Sequence, residues 1–449
     1  MPRLLWTYLI IAGAAAVAAC GRQTSPVSTT SGQPLAAPLK SETEIRDLDI
    51  QYFSERAKRD PTGALDLARL SALYLARGRE TGDPRDAILA EESARRSLKN
   101  RKERNGAASQ VLITALLAQH RFDEALPLAR RSRDLDPDNP SLRAAVGDIE
   151  MELGQYDSAR ASFANLRVAL GDPAVAPRLA RWAEIEGQTD KARLLLHAAL
   201  LTVQKTSNVP REQLAWFWLR VGDVELRSGH PVAADSAYRS GLAAHPDDYR
   251  LLAAIAHSAL MQQKWQRAIT FGERAIAVTL DPATLGILSD AYAATGDSAK
   301  SAEYAHVLDV VVLKQPGAYH RAWSLFLLDH DRHLATVSRK ITEELRTRKD
   351  IYAYDLLAWS LHKQGRDRDA AIAMSQAMKE GTRDAQLLFH AGMIEQALGH
   401  RDVARAHLTQ ALAVNPYFHP SQPDIARATL AAFAQEQRLA SSNSEVGHE

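Results

Sequence analysis

Two stretches in the last quarter of the chain carry one pattern, offset by 34 residues. Ala358, Gly365, Ala370, Met374 and Ala377 recur as Gly392, Gly399, Ala404, Leu408 and Ala411. A fixed period of this length marks stacked helix–turn–helix units. Each unit buries its apolar face only against its neighbours, so the chain grows into a solenoid and does not close around a single core. A stack of this kind offers a long concave surface, which suits the holding of another protein. The period sets an all-α solenoid as the expectation and turns the functional reading away from catalysis.

The length of 449 residues would otherwise suggest two or three globular domains. A solenoid lifts that bound, because it lengthens by adding units. Hydrophobic residues make up 46% of the chain, ample for a buried core, and alanine and leucine dominate as in packed helices. The 55 basic and 54 acidic residues leave a net charge of +1, which lacks the basic excess of a nucleic-acid binder. The local cluster Arg95, Arg96, Lys99, Arg101, Lys102 and Arg104 reads as a solvated helix face. The single cysteine, Cys20, rules out an internal disulfide and a paired-cysteine zinc site.

The first twenty residues read as an address. Arg3 is followed by the apolar run Leu4–Ala19, shorter than the roughly 20 residues that span a bilayer. The charged start, apolar centre and small-residue end are those of a secretory signal. Val17-Ala18-Ala19-Cys20 resembles the lipobox of bacterial lipoproteins. The resemblance implies cleavage before Cys20 and its lipidation; the alternative is an uncleaved anchor helix. Gly21, where an aspartate would signal retention, implies the outer membrane facing the periplasm in a Gram-negative host. Residues 21–44, rich in Ser, Thr, Pro and Gly, are expected to form a flexible tether.

Further units start near 106, 140, 173, 215, 249, 282, 317, 351 and 385. Small residues recur at their eighth and twentieth positions, as in Gly147 and Ala159, Ala180 and Ala192, Gly222 and Ala234, Ala256 and Ala268. A small residue where two helices cross lets them approach to about 8–10 Å. Glycine recurs between the helices at Gly154, Gly187, Gly229, Gly296, Gly365 and Gly399, where the left-handed conformation ends a helix. On these residues the chain resembles a tetratricopeptide repeat protein across roughly 65–418. The resemblance implies a right-handed superhelical solenoid. The organisation expected is an atypical unit within 45–105, repeats over 106–206 and 207–422, a capping helix at 423–439 and a frayed tail at 440–449. Thr202–Arg211 reads as an inserted loop, and RGRETGDPRD in the first unit as a long turn. The 317 unit carries Ser324 and Thr336 at its small positions and is the least regular.

No phosphate loop, GxGxxG, HExxH or GxSxG occurs, so no constellation for catalysis, cofactor binding or a metal is read. His330 and His333 lie one helical turn apart but lack an evident third ligand. In the repeat family the concave face comes from positions 2, 5, 9 and 12 of each first helix. Carried over, this implies Trp216, Asp223, Arg250, His257, Tyr352, Asp355, Trp359, His362, Phe389 and Met393 as groove residues. For Trp216, Trp359 and Phe389 two readings stay open: binding anchors, or rings buried in a tight superhelix. The function expected is a lipid-anchored, non-catalytic scaffold of the bacterial envelope that grips a protein or peptide, with no nucleic-acid role. The alternative is a ligand- or metal-binding lipoprotein using histidines such as His257, His330 and His333.

Overall fold

Helix pairs follow the 34-residue rhythm with little deviation. The computed structural model describes residues 40–164, 166, 168–314 and 321–446; the signal segment, Cys20 and the tether up to residue 39 lie outside them. Among the described residues there are 22 helices and no strand. Helix α1 (Glu42–Arg59) begins inside the expected tether. Ten pairs follow: α2 (Ala64–Thr81) with α3 (Arg85–Asn100), α4 (Gly106–Ala118) with α5 (Phe122–Leu135), α6 (Pro140–Glu152) with α7 (Tyr156–Phe163), α8 (Ala176–Ile185) with α9 (Thr189–Lys205), and α10 (Arg211–Arg227) with α11 (Pro231–Ala244). The second half holds α12 (Tyr249–Met261) with α13 (Trp265–Val278), α14 (Pro282–Ala294) with α15 (Ser298–Lys314), α16 (Arg321–Asp329) with α17 (Leu334–Glu344), α18 (Ile351–Lys363) with α19 (Asp367–Ala377), and α20 (Ala385–Ala397) with α21 (Arg401–Val414). Helix α22 (Gln422–Val446) closes the stack. The fold is an all-α solenoid of stacked helix–turn–helix units.

The sequence rules act at each step. Asn139, Asp248, Asp281, Asp350 and Asp384 cap the first helices of their units by accepting backbone N–H bonds, each such cap being worth about 1 kcal/mol. The six turn glycines all adopt positive φ, between 70° and 86°. Small and large residues interlock across each pair. A side-chain carbon on Gly392 would lie 2.7 Å from Leu408, and one on Gly147 would lie 3.0 Å from Phe163. On Gly222 it would run into the ring of Tyr238.

Of three irregularities, the first is a loop as read from the sequence and the other two resolve differently. The insertion at Thr202–Arg211 keeps its expected exposed loop at residues 206–210, flanked by the end of α9 at Lys205 and the start of α10 at Arg211. The long turn of the first unit is also mostly helix: α2 continues to Thr81, and Gly82 makes the turn at φ 69°. The chain beyond 439 stays helical to Val446, and Glu436 on α22 is tied to Arg401 at 2.8 Å.

The stack also meets itself, one superhelical turn on. Lys349 N–H donates to Leu153 O (3.3 Å), and Ile351 N–H donates to Tyr156 Oη (2.7 Å). The Thr382 hydroxyl donates to Ile185 O (2.6 Å), the Asn415 side-chain amide to Leu226 O (2.9 Å), and the Thr279 hydroxyl to Thr81 O. In each case the turn inside one unit meets the loop that follows the unit five places later. Gly154, Gly187 and Gly229 sit in three of these turns. A side-chain carbon on Gly187 would lie 2.5 Å from Gly381 O, and one on Gly229 would lie 3.0 Å from Val414 O. Arg160 and Glu380 add an ion pair at 3.0 Å. This seam bounds the concave face and turns a groove into a lumen.

Candidate functional site: the lumen of the superhelix

In six consecutive units the residue at the ninth position of the first helix faces inward. Asp148, Arg181, Asp223, His257, Asp290 and Leu325 occupy that row, and all of them line cavities inside the superhelix. The cavities measure about 470 Å³ around His257, about 410 Å³ around Asp148 and about 220 Å³ between Arg181 and Arg227. Arg321 and Tyr352 border all three, so the cavities adjoin along one lumen.

The lumen wall is a ladder of ion pairs between neighbouring first helices. Arg181 on α8 reaches back to Asp148 (2.9 Å) and to Glu152 on α6. Arg227 on α10 pairs with Glu184 on α8 (2.8 Å). Arg321 on α16 reaches Asp355 on α18 (3.2 Å) and stands 4.5 Å from the centre of the Tyr352 ring. His330 pairs with Asp290 (2.8 Å). Burial alone would weaken these cations, but the facing carboxylates outweigh it. Arg181, Arg227 and Arg321 are all held more basic than usual, and His330 is raised above the ordinary imidazole value. Arg220 is the exception. Burial lowers it, and nearby Arg227 adds to the effect against its partner Asp223 at 3.1 Å.

His257 stands apart. Its side chain is exposed to the lumen and forms no hydrogen bond or ion pair among the described residues. Desolvation by the surrounding wall pushes it down to about 4. It is a neutral imidazole at physiological pH, free to donate one hydrogen bond and to accept another.

The other residues inferred from the repeat positions separate into two groups. Asp223, His257 and Tyr352 line the lumen. Arg250 is half-buried and clamped by Glu212 (2.9 Å) and Asp248 (2.6 Å). Trp216 is half-buried, edge-on to Phe217 at 4.9 Å. Asp355 is wholly buried, bonded to His390 (2.7 Å) as well as Arg321. Trp359 and Phe389 are core residues, and burial is the reading that the structure selects for them. Trp359 stacks on His390 with centroids 4.1 Å apart and donates its ring N–H to Asp329 (2.8 Å). Phe389 packs between Trp359 and Phe418. His362 bonds Asp367 (2.6 Å), and Met393 packs against the same C-terminal core. At this end Phe418 and α22 cover the two rings.

His330 and His333 do not converge, since His333 faces Asp309 at 3.3 Å. Among the described residues no three His, Cys, Asp or Glu side chains are grouped to hold a metal. Sequence reading passed over Arg181, Arg227, Arg321, Glu184 and Asp384. The signal for Arg181 was present: the ninth-position rule that gives Asp223 and His257 also gives Asp148, Arg181 and Asp290 in the 140, 173 and 282 units.

A search of curated protein sequences finds no match. Two solved structures align along most of the chain at low identity. A crystal structure of the APC/C hetero-tetramer Cut9-Hcn1 is 12% identical over 87% of this chain and 93% of its own, with a TM-score of 0.34. The human IFIT1 dimer with PPP-AAAA is 14% identical over 83% of this chain and 94% of its own, with a TM-score of 0.43. In sequence, residues 78–140, 116–181 and 220–284 match models of the tetratricopeptide repeat.

Proposed function

We propose that the protein is a non-catalytic scaffold that holds a segment of a protein partner inside its solenoid, tethered to the envelope of a bacterial cell. The observation that carries the reading is the inward row Asp148, Arg181, Asp223, His257 and Asp290. It presents polar, hydrogen-bonding side chains at regular steps along one lumen, the arrangement a solenoid uses to grip an extended chain. The tether follows from the lipobox resemblance at Cys20, the outer membrane from Gly21.

Capture from detergent-solubilised membranes after crosslinking tests the scaffold role. A specific partner lost on Arg181→Glu or Asp223→Arg is expected, and recovery of monomeric chain alone would count against it. Metabolic labelling with a radioactive fatty acid tests the anchor separately: label is expected on the protein and is lost in Cys20→Ser.

A second reading has one observation in its favour. The His257 cavity, at about 470 Å³, falls within the range of small-molecule sites. Native mass spectrometry of the purified chain would reveal a retained small molecule, and a repeatedly empty chain would set this reading aside.

A further inference from the structure

The lumen is bounded by a seam whose chemistry differs from that of the stack it joins. Neighbouring units share apolar clusters, such as that of Ala256, Leu260, Ile269 and Leu288 between the 249 and 282 units. The seam is made mainly of single hydrogen bonds between loops: Ile351 N–H to Tyr156 Oη, Lys349 N–H to Leu153 O, Thr382 Oγ1 to Ile185 O and Asn415 Nδ2 to Leu226 O. Ile351 is its main apolar contribution, joining the cluster around Tyr156 and Trp182. Bonds of this type contribute little net stability, because water replaces them when the surfaces part. The glycines at 154, 187 and 229 keep the surfaces flush, backbone against backbone. The loops can therefore separate without much repacking of side chains. Three of the four loops on that side of the seam lead into α18, α20 and α22; α18 packs on α20, and α22 joins the same apolar core through α21. They are mechanically one edge.

We propose that this seam is the gate of the lumen: its loops open together and admit a partner segment to the row around His257. The proposal rests on the reading of the lumen as the binding site. Two natural reporters sit on the molecule. Ile351 is the first residue of α18, and its N–H has no partner within the helix, so its protection from exchange comes from Tyr156 across the seam. His257 faces the lumen, is unbonded and neutral near pH 7, and is thus open to acylation by diethyl pyrocarbonate once the reagent can reach it.

The test is hydrogen–deuterium exchange at residues 349–351, with diethyl pyrocarbonate labelling of His257 located by peptide mass spectrometry, on the full chain. Thr382→Val removes one seam bond on a different loop from the reporter. If the gate opens as a unit, exchange at Lys349 and Ile351 rises about tenfold, the effect of losing one hydrogen bond, and His257 labels faster. Arg160→Ala, a surface change, should move both readouts in the same direction by a smaller factor and serves if Thr382→Val fails to fold. In a chain carrying Cys20→Ser, a short bis-maleimide link between Arg160→Cys and Glu380→Cys should slow His257 labelling below that of the unlinked protein. Unchanged exchange at 349–351 in Thr382→Val and Arg160→Ala would show that the loops part independently and overturn the gate. So would equal His257 labelling in linked and unlinked protein, which would mean entry from the ends. Neither readout uses a partner, so failure of the gate leaves the scaffold reading to its own capture experiment.

Discussion

The backbone carbonyl of Lys349 lies where the first side-chain carbon of Gly154 would stand. The two residues belong to successive turns of the superhelix, and their contact is where the seam is tightest. Gly154 holds φ at 71° as well, so two separate constraints act on one position.

Those constraints can be measured apart. Gly399 has the same left-handed conformation (φ 83°) with nothing within 4 Å of its missing side chain. Gly399→Ala should lose about 1 kcal/mol from backbone strain alone. Gly154→Ala should lose more, by roughly a further 1–3 kcal/mol, because a carbonyl in the backbone cannot swing aside as a side chain can. Chemical denaturation of the two variants in parallel checks this. Equal losses would mean that the seam does not form in solution.

The interlock of small and large residues predicts a coupled pair. Gly222→Ala forces a methyl group into the Tyr238 ring and should destabilise by about 1–3 kcal/mol. Combining it with Tyr238→Leu should give less than the sum of the single losses, because the two residues share one space. Thermal unfolding of the four proteins in the cycle gives the coupling; simple additivity would contradict the packing described.

Asp355 is wholly buried between Arg321 and His390. Asp355→Ala leaves a guanidinium and an imidazole without their shared acceptor and should cost about 3–5 kcal/mol. Asp402→Ala on α21 removes an exposed ion pair to Arg405, and its expected effect is within about 0.5 kcal/mol of zero. Urea unfolding midpoints distinguish the two.

The lumen histidines should titrate in opposite directions. His257 is pushed down to about 4. Between roughly pH 6.5 and 4 the unfolded chain takes up a proton there and the folded chain does not, so this residue makes stability fall as pH drops through that window. For His330, burial is outweighed by the Asp290 carboxylate and the folded value is raised. Its contribution is fully present below the ordinary imidazole value of about 6.5 and is lost as pH rises through the folded value. Imidazole proton shifts in NMR titrations check both directions. His257→Gln should flatten the acid limb of the stability profile while leaving the alkaline limb unchanged.

The repeat made most of the architecture legible. First helices start at Gly106, Pro140, Tyr249, Pro282, Ile351 and Ala385, the residues that the 34-residue period marks. The period reports contacts between a unit and its neighbours, and those are local in sequence. Helix ends were less legible. Nothing in RGRETGDPRD shows that α2 would continue into it as far as Thr81, since the run is rich in residues that also suit turns. The site was half visible. Asp223, His257 and Tyr352 lie in the lumen because repeat position fixes which way a first helix points a side chain. Trp359 and Phe389 obey the same positional rule yet are buried, because α22 and the 415–421 loop, with Phe418, cover that end. The seam left no pattern of its own. Gly154, Gly187 and Gly229 are needed for the helical turn already, and their second role appears only when loops some 190–200 residues away are brought against them.

A linear array of repeats loses stability unit by unit, and its ends fray without disturbing the middle. The bonds from Tyr156, Ile185 and Leu226 to the loops beyond the eighth, ninth and tenth pairs break that independence. They tie the interior of the array to its far end, so the chain behaves energetically as a closed circuit. Removing the last two pairs would strip support from α6 to α10 as well as from the terminus, and the central helices would loosen at a distance from the cut.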